Sequence, residues 1–288
     1  MRIVSRGSGG LLKRNWSNSP AHDLGRSLDI VRVVVALILI IHPLHALMHP
    51  GNVRGFGHFL ESRGFPFGAA LAWAVMFLQI GCSSALLVRR LVVPACLGHT
   101  FVLGMGIWLV HAPKWRTVGL PDGDHQPGAE FSVLLIACLA GVLCAYWRRS
   151  PDGSSAARRG LEVVRVAVAL ILIIHPIGGL RDPAGLNDLG LYFSSIGFPF
   201  GVALVWSAMF LQIACCIELV LRRFVVPACL GHIVVLVTGI TLFHAPNWFA
   251  VGPVDVIGPG KEGMEYSILL VSCFVSLLLA YWPRQDLA

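Results

Sequence analysis

The chain has 288 residues, 56% of them hydrophobic and only 13% charged, with a mean hydropathy of +0.75 and a formal net charge of +7. Those values exclude a water-soluble globular domain and an intrinsically disordered chain, and they fit a protein that lies within a bilayer. No phosphate-binding loop, dinucleotide fingerprint or serine-centred nucleophile motif occurs, and the cations lack the aromatic interleaving of a nucleic-acid surface.

Residues 1–27 are basic and polar, with Arg2, Arg6, Lys13 and Arg14 among Gly and Ser, and have no apolar run. They read as a disordered basic tail near anionic lipid rather than a cleavable signal peptide. Apolar runs then predict spans over 28–47, 67–88, 91–110 and 130–147, followed by 161–177, 200–221, 224–243 and 265–282. At 17 to 22 residues these runs fall in the length range of membrane-crossing helices. The expected fold is an all-α polytopic membrane protein of eight transmembrane helices.

The eight are four written twice. VRVVVALILIIHP at Val31 to Pro43 recurs as VRVAVALILIIHP at Val164 to Pro176, and the offset of 133 holds to HAP at His111 and His244. Only the segment 45–63 is almost wholly changed, which reads as a released loop. Four helices is an even number, so the second copy enters the membrane from the same side as the first. The expectation is two parallel four-helix bundles, at 28–149 and 161–288, joined by a polar linker over 150–160 and behaving as a fused dimer.

Sixteen of the 22 cations fall on one side of this topology: in the tail, at Arg32 and Arg165, in the Arg89–Arg90 and Arg222–Arg223 turns, at Arg148, Arg149, Arg158 and Arg159 around the linker, and at Arg284. The positive-inside rule then places both termini in the cytoplasm and four larger loops outside. Trp115, Trp147, Trp248 and Trp282 stand at span boundaries, as an interfacial belt requires. Pro43 and Pro176 deprive the carbonyls of Leu39 and Leu172 of their helical donors and predict a kink at the outer end of each first helix. All eight cysteines fall in spans and no CxxC occurs, so no secreted disulfide framework or thiol-disulfide exchange motif is expected.

Two layers of chemically capable residues follow from helical spacing. Gln79 with Cys82, and Cys96 with His99, are three apart and share faces, about 10–15 Å from the Arg turns, with Cys138 near the same depth. The second copy offers Gln212, Cys215, Cys229, His232 and Cys273. Thiolate and imidazole suit copper or zinc, which makes Cys82, Cys96, His99, Cys215, Cys229 and His232 candidate metal ligands. Haem held by His99 and His42 is another reading, and a third is that the cysteines only pack while Gln79 and His99 hydrogen-bond each other.

In the outer layer His111 and His244 close the third helices, Glu130 and Glu265 open the fourth, and His42 and His175 lie somewhat deeper. A His and carboxylate pair can hold a quinol hydroxyl and relay its proton, so His111, Glu130, His244 and Glu265 are the candidate relay, with His42 and His175 beside a quinone or haem. The alternative is an interfacial pair that caps the helix and locks its neighbours. Arg32 and Arg165, one turn inside the basic end, either bind a lipid phosphate or quinone head group or snorkel. Glu218, one turn from Arg222, occurs only in the second copy, while His45, His49, His58 and His125 occur only in the first and suggest weak metal affinity at most.

RVVVALILIIHP, GFPFG followed by LAW, the Arg-Arg turn, HAP and GAEFSVLLIACLAGVLCAYW together resemble the DoxX family of four-helix membrane proteins, and the second copy repeats the series to GMEYSILLVSCFVSLLLAYW. The resemblance implies a four-helix unit associated with quinone-linked oxidation, thiol or oxidative stress and membrane redox complexes. The chain departs from the family pattern at Gln79 and Gln212, where a Glu is usual, at Pro43 and Pro176 in place of Gly, and in lacking a Lys after the first-helix His. The expected function is a quinone-interacting or anchoring subunit of a membrane redox complex, non-catalytic in itself, in contact with a membrane or extracytoplasmic redox partner. Metal handling or transport and purely structural anchoring are the alternatives.

Overall fold

The computed structural model describes residues 21–111, 129–147, 153–244 and 264–282, and every regular element among them is helical. In chain order the α-helices are α1 (Ala21–Met48), α2 (Pro50–Ser62), α3 (Gly68–Leu87), α4 (Val92–Gly106), α5 (Glu130–Tyr146) and α6 (Gly153–Leu172), then α7 (Ile174–Leu180), α8 (Pro183–Ser195), α9 (Gly201–Leu221), α10 (Val225–Gly239) and α11 (Glu265–Tyr281). Single π-helical turns, Ile107–His111 and Ile240–His244, extend α4 and α10. A helix satisfies its own backbone without water, which is why uninterrupted apolar runs take this form in hydrocarbon.

Six helical stretches are long and apolar enough to cross a membrane: Leu24–Met48, Gly68–Leu87, Val92–His111, Ser154–Leu180, Gly201–Leu221 and Val225–Leu242. The expected fourth and eighth spans, α5 and α11, are apolar but only 17 residues long. The protein is an all-α polytopic membrane protein. Its outward side chains, including Phe67, Phe77, Phe101, Phe200, Phe210 and Val234, are large and apolar, as a lipid-facing surface must be.

Three local features differ from expectation. The changed segment 45–63 is largely helix, not loop: α2 presents Val53, Gly57 and Leu60 to α3, and α8 presents Leu186, Gly190 and Phe193 to α9 at equivalent positions. The residue identities diverged while the i, i+4, i+7 spacing persisted, with Pro50 and Pro183 each supplying a helix-compatible first turn. Gly57 permits the close crossing, since a Cβ there would stand 2.9 Å from the Ala69 Cα. The proline interrupts the helix in one copy only: α1 runs through Pro43 to Met48, whereas the second copy breaks at Ile173, three residues before Pro176. Finally, α6 begins at Gly153, so most of the expected 150–160 linker is helical, as α1 likewise begins ahead of residue 28 at Ala21.

Each repeat forms a ring, α1–α3–α4–α5 and α6–α9–α10–α11, and the two rings meet along α1, α5, α6 and α11. One apolar core crosses the meeting plane, with Val31, Val35, Leu134 and Leu139 from the first repeat and Val164, Val168, Leu269 and Phe274 from the second. Equivalent positions face each other there. Cys138 lies with its sulfur 3.5 Å from that of its counterpart Cys273. At the α5–α6 crossing a Cβ on Gly141 would stand 2.8 Å from the Gly160 carbonyl oxygen. At the equivalent α11–α1 crossing Ser276 Oγ donates to the Ser27 carbonyl at 2.6 Å. Small residues let the backbones approach, as membrane helix pairs require, and the matching of like with like is the mark of a parallel pseudo-two-fold.

Candidate functional site

At the basic end each repeat builds the same polar knot. Arg32 is 6% exposed and donates from Nε to Asp29 at 2.9 Å, while its Nη1 caps the Leu86 carbonyl and reaches that of Leu87 at 3.3 Å. Arg89 closes the knot, 3.2 Å from Asp29 and donating to the Tyr146 hydroxyl at 2.8 Å; that hydroxyl donates to Asp29 at 3.1 Å. In the second repeat Arg165 binds Glu162 at 2.6 Å and the Leu219 and Val220 carbonyls, Arg222 lies 3.4 Å from Glu162, and Tyr281 donates to Glu162 at 3.2 Å.

A strained turn delivers Arg89 and Arg222 to these positions. Arg89 and Leu91 (φ 58° and 51°), and Arg222 and Phe224 (φ 59° and 39°), adopt left-handed conformations at a cost of roughly 1–2 kcal/mol each. The guanidinium groups of Arg32 and Arg165 therefore hold the last carbonyls of α3 and α9, where a helix lacks donors of its own.

The inner layer is close-packed around two buried imidazoles. His99 is 1% exposed and shares a 3.0 Å hydrogen bond with Ser83, not with Gln79, which is half-buried. His232, equally buried, meets Cys216 at 3.5 Å and stacks on Phe274 with centroids 4.9 Å apart. Each imidazole uses Nε2, and each buried Nδ1 has no hydrogen-bond partner among the described residues. Cys82 and Cys215 rest on glycines of the adjoining helix: a Cβ on Gly98 or Gly231 would stand 2.8 or 3.0 Å from their sulfurs. Among the described residues no three His, Cys, Asp or Glu side chains gather as metal ligands would, so Cys82, Cys96 and His99, and likewise Cys215, Cys229 and His232, form no such set.

The outer ends of α1 and α7 converge on the first turn of α11. His42 Nε2 stands 4.0 Å from Glu265 Oε1, an ion pair between the first repeat and the second when the imidazole is protonated. One residue on, the Tyr266 hydroxyl stands 3.4 Å from His175 Nε2. The Tyr266 ring is held from the other side by Phe131 of α5, edge to face at 5.9 Å. Four polar groups, His42, Glu265, Tyr266 and His175, thus line the seam between repeats, with His42 39% exposed and Glu265 16%. That combination of partial access and apolar surroundings is what distinguishes this cluster from the closed inner layer.

Of the residues singled out by sequence, the structure joins His42 to Glu265 across the two repeats. His111 is half-buried at the end of its π turn, the His244 side chain lies outside the described residues, and so does His125. The His45 and His49 rings lie 4.4 Å apart in a tilted arrangement, and His58 faces Glu61 at 3.4 Å. Sequence reasoning passed over Tyr266, Ser83, Asp29 and Tyr146. Tyr266 was findable, because the second copy has Tyr where the first has Phe131. Asp29 and Arg32 were findable as an i, i+3 pair of opposite charge in an otherwise apolar helix.

Residues 27–112 match the DoxX family model. No curated protein and no solved structure matches the chain.

Proposed function

From the match of residues 27–112 to the DoxX family model, we propose that the chain is a quinone-interacting subunit of a membrane redox complex whose quinone site is the outer seam between the repeats. The observation that carries this reading is the meeting of His42 with Glu265 at 4.0 Å and of His175 with Tyr266 at 3.4 Å on one turn of α11. A quinone head group needs hydrogen-bond partners at its two oxygens and an apolar slot for its ring. Two imidazoles and a phenol provide the first, and Phe131 with the Tyr266 ring the second. The quinone supplies the two-electron chemistry. The chain's part is to hold the hydroxyl and carry its proton, which His42 passes to or receives from the Glu265 carboxylate.

Arg32 and Arg165 are fully engaged with carbonyls and carboxylates, which argues against them as head-group ligands and moves the site to the opposite end. Under the positive-inside rule the basic end faces the cytoplasm, and the seam cluster then opens into the outer half of the bilayer, toward an extracytoplasmic or membrane redox partner. His111 and Glu130, at the same end of the first repeat, belong to the proposed proton path to the surface.

The test is uptake of a short-chain quinone analogue by the purified full chain in detergent, read by quenching of tryptophan fluorescence against detergent alone. Binding is expected to weaken about tenfold, the worth of one charged or buried hydrogen bond, in His42→Ala and in Tyr266→Phe. Absence of binding by the unaltered chain, or unchanged binding in both variants, refutes the reading.

A further inference from the structure

We propose that Cys138 and Cys273 form an oxidisable dithiol, a site at which peroxide converts two thiols into a disulfide that welds the first repeat to the second. The sulfurs stand 3.5 Å apart, in van der Waals contact, where α5 and α11 meet on the pseudo-two-fold. Both residues are 0% exposed. A disulfide needs its sulfurs at about 2 Å, so the two must approach by about 1.5 Å.

The chemistry balances with one named oxidant. Peroxide takes the hydrogen of the first thiol and leaves a hydroxyl on sulfur, giving a sulfenic acid and one water; its O–O bond breaks and that sulfur is oxidised by two electrons. The second thiol attacks the sulfenic sulfur, an S–S bond forms, and the hydroxyl leaves with the second thiol's proton as another water. Peroxide is small and neutral enough to enter a packed bundle that excludes bulkier reagents. Burial without a neighbouring base slows the first step, since the thiolate is the reactive form. The second step is fast for the same reason that the pair is a site: the resolving thiol is already in contact.

The other cysteines behave differently. Cys144 is exposed, while Cys82 and Cys215 rest on glycine and Cys216 on the imidazole of His232. The weld would act on the seam itself, because Cys273 lies two turns along α11 from Glu265, about 12 Å. It would fix α5 against α11 beneath the outer cluster, and it stands whether or not that cluster binds a quinone.

The experiment treats the full chain, folded in lipid nanodiscs, with millimolar hydrogen peroxide, then denatures, alkylates and digests it for peptide mass analysis. The expected result is loss of two hydrogens per chain, with the peptides bearing Cys138 and Cys273 joined and released by reductant. Cys138→Ser and Cys273→Ser should each abolish the joined peptide while the chain still folds. Cys144→Ser should leave it unchanged. If peroxide oxidises Cys144 while Cys138 and Cys273 remain fully alkylatable, or if disulfides form only between other cysteines, the proposal is overturned.

Discussion

Replacing Arg32 with Met tests whether the polar knot at the basic end holds α1 to α3. The substitution keeps the length and apolar stem of the side chain and removes the guanidinium, so the Leu87 carbonyl loses that donor, the Leu86 carbonyl keeps the Arg89 N–H at 3.2 Å, and Asp29 loses one partner at 2.9 Å. Breaking a buried charged pair costs about 3–5 kcal/mol. The lower end applies here, because Asp29 is 23% exposed and keeps Arg89 and Tyr146. A loss of about 3 kcal/mol corresponds to a fall in Tm of roughly 6–12 °C for a chain of this size. Thermal unfolding of the detergent-solubilised protein, followed by circular dichroism, measures it. Arg165→Met should match it, since Arg165 is 5% exposed and makes the equivalent bonds, and Arg26→Met, at an exposed position, should leave Tm in place. An Arg32→Met protein melting within 2 °C of the unaltered chain would show that these contacts contribute nothing and sink the argument.

Two further substitutions probe the seam. Gly141→Ala places a methyl 2.8 Å from the Gly160 oxygen and 2.9 Å from a Val164 methyl, so the same melting assay should register a loss of about 1–3 kcal/mol. Ala at the equivalent Ser276 should be milder, about 1 kcal/mol for the hydrogen bond to Ser27, because that crossing already accommodates a side chain. Phe274→Ala empties a fully buried site and removes the ring stacked on His232, for an expected loss of about 3–5 kcal/mol in chemical denaturation. A neutral outcome at Phe274 would mean that the shared core is not where the two repeats hold together.

Hydropathy and the internal offset made the membrane character, the helical class and the doubling of one apolar unit legible in the sequence. They were legible because a bilayer leaves the backbone few choices, and because a duplicated segment can be laid over itself. The amphipathic helices α2 and α8 were hidden by the opposite circumstance: their identities had drifted apart, and the small surviving pattern, Val53–Gly57–Leu60 against Leu186–Gly190–Phe193, is a matter of spacing. The outer cluster was half readable. His42 and Glu265 stood out as ionisable groups in apolar runs, but periodicity ranks residues within a helix and says nothing of which helix of which repeat a side chain will meet. Assigning each fourth-helix Glu to the third-helix His of its own repeat was therefore natural from sequence, while the described contact runs from His42 across to the other repeat. The thiol pair was hidden for the same reason, its members being 135 positions apart.

The edge-to-face contact of Phe131 with Tyr266 has a consequence for how such an arrangement can arise. Two separate copies of one gene product, paired about a true two-fold, carry the same residue on both sides of the axis, so tyrosine must oppose tyrosine and phenylalanine must oppose phenylalanine. Only after both copies share a chain can one flank change while the other is kept. A phenol on one side, braced by a bare ring on the other, is a pairing that two identical chains about a true two-fold cannot make, and it leaves this seam with one hydroxyl where symmetry would impose two or none.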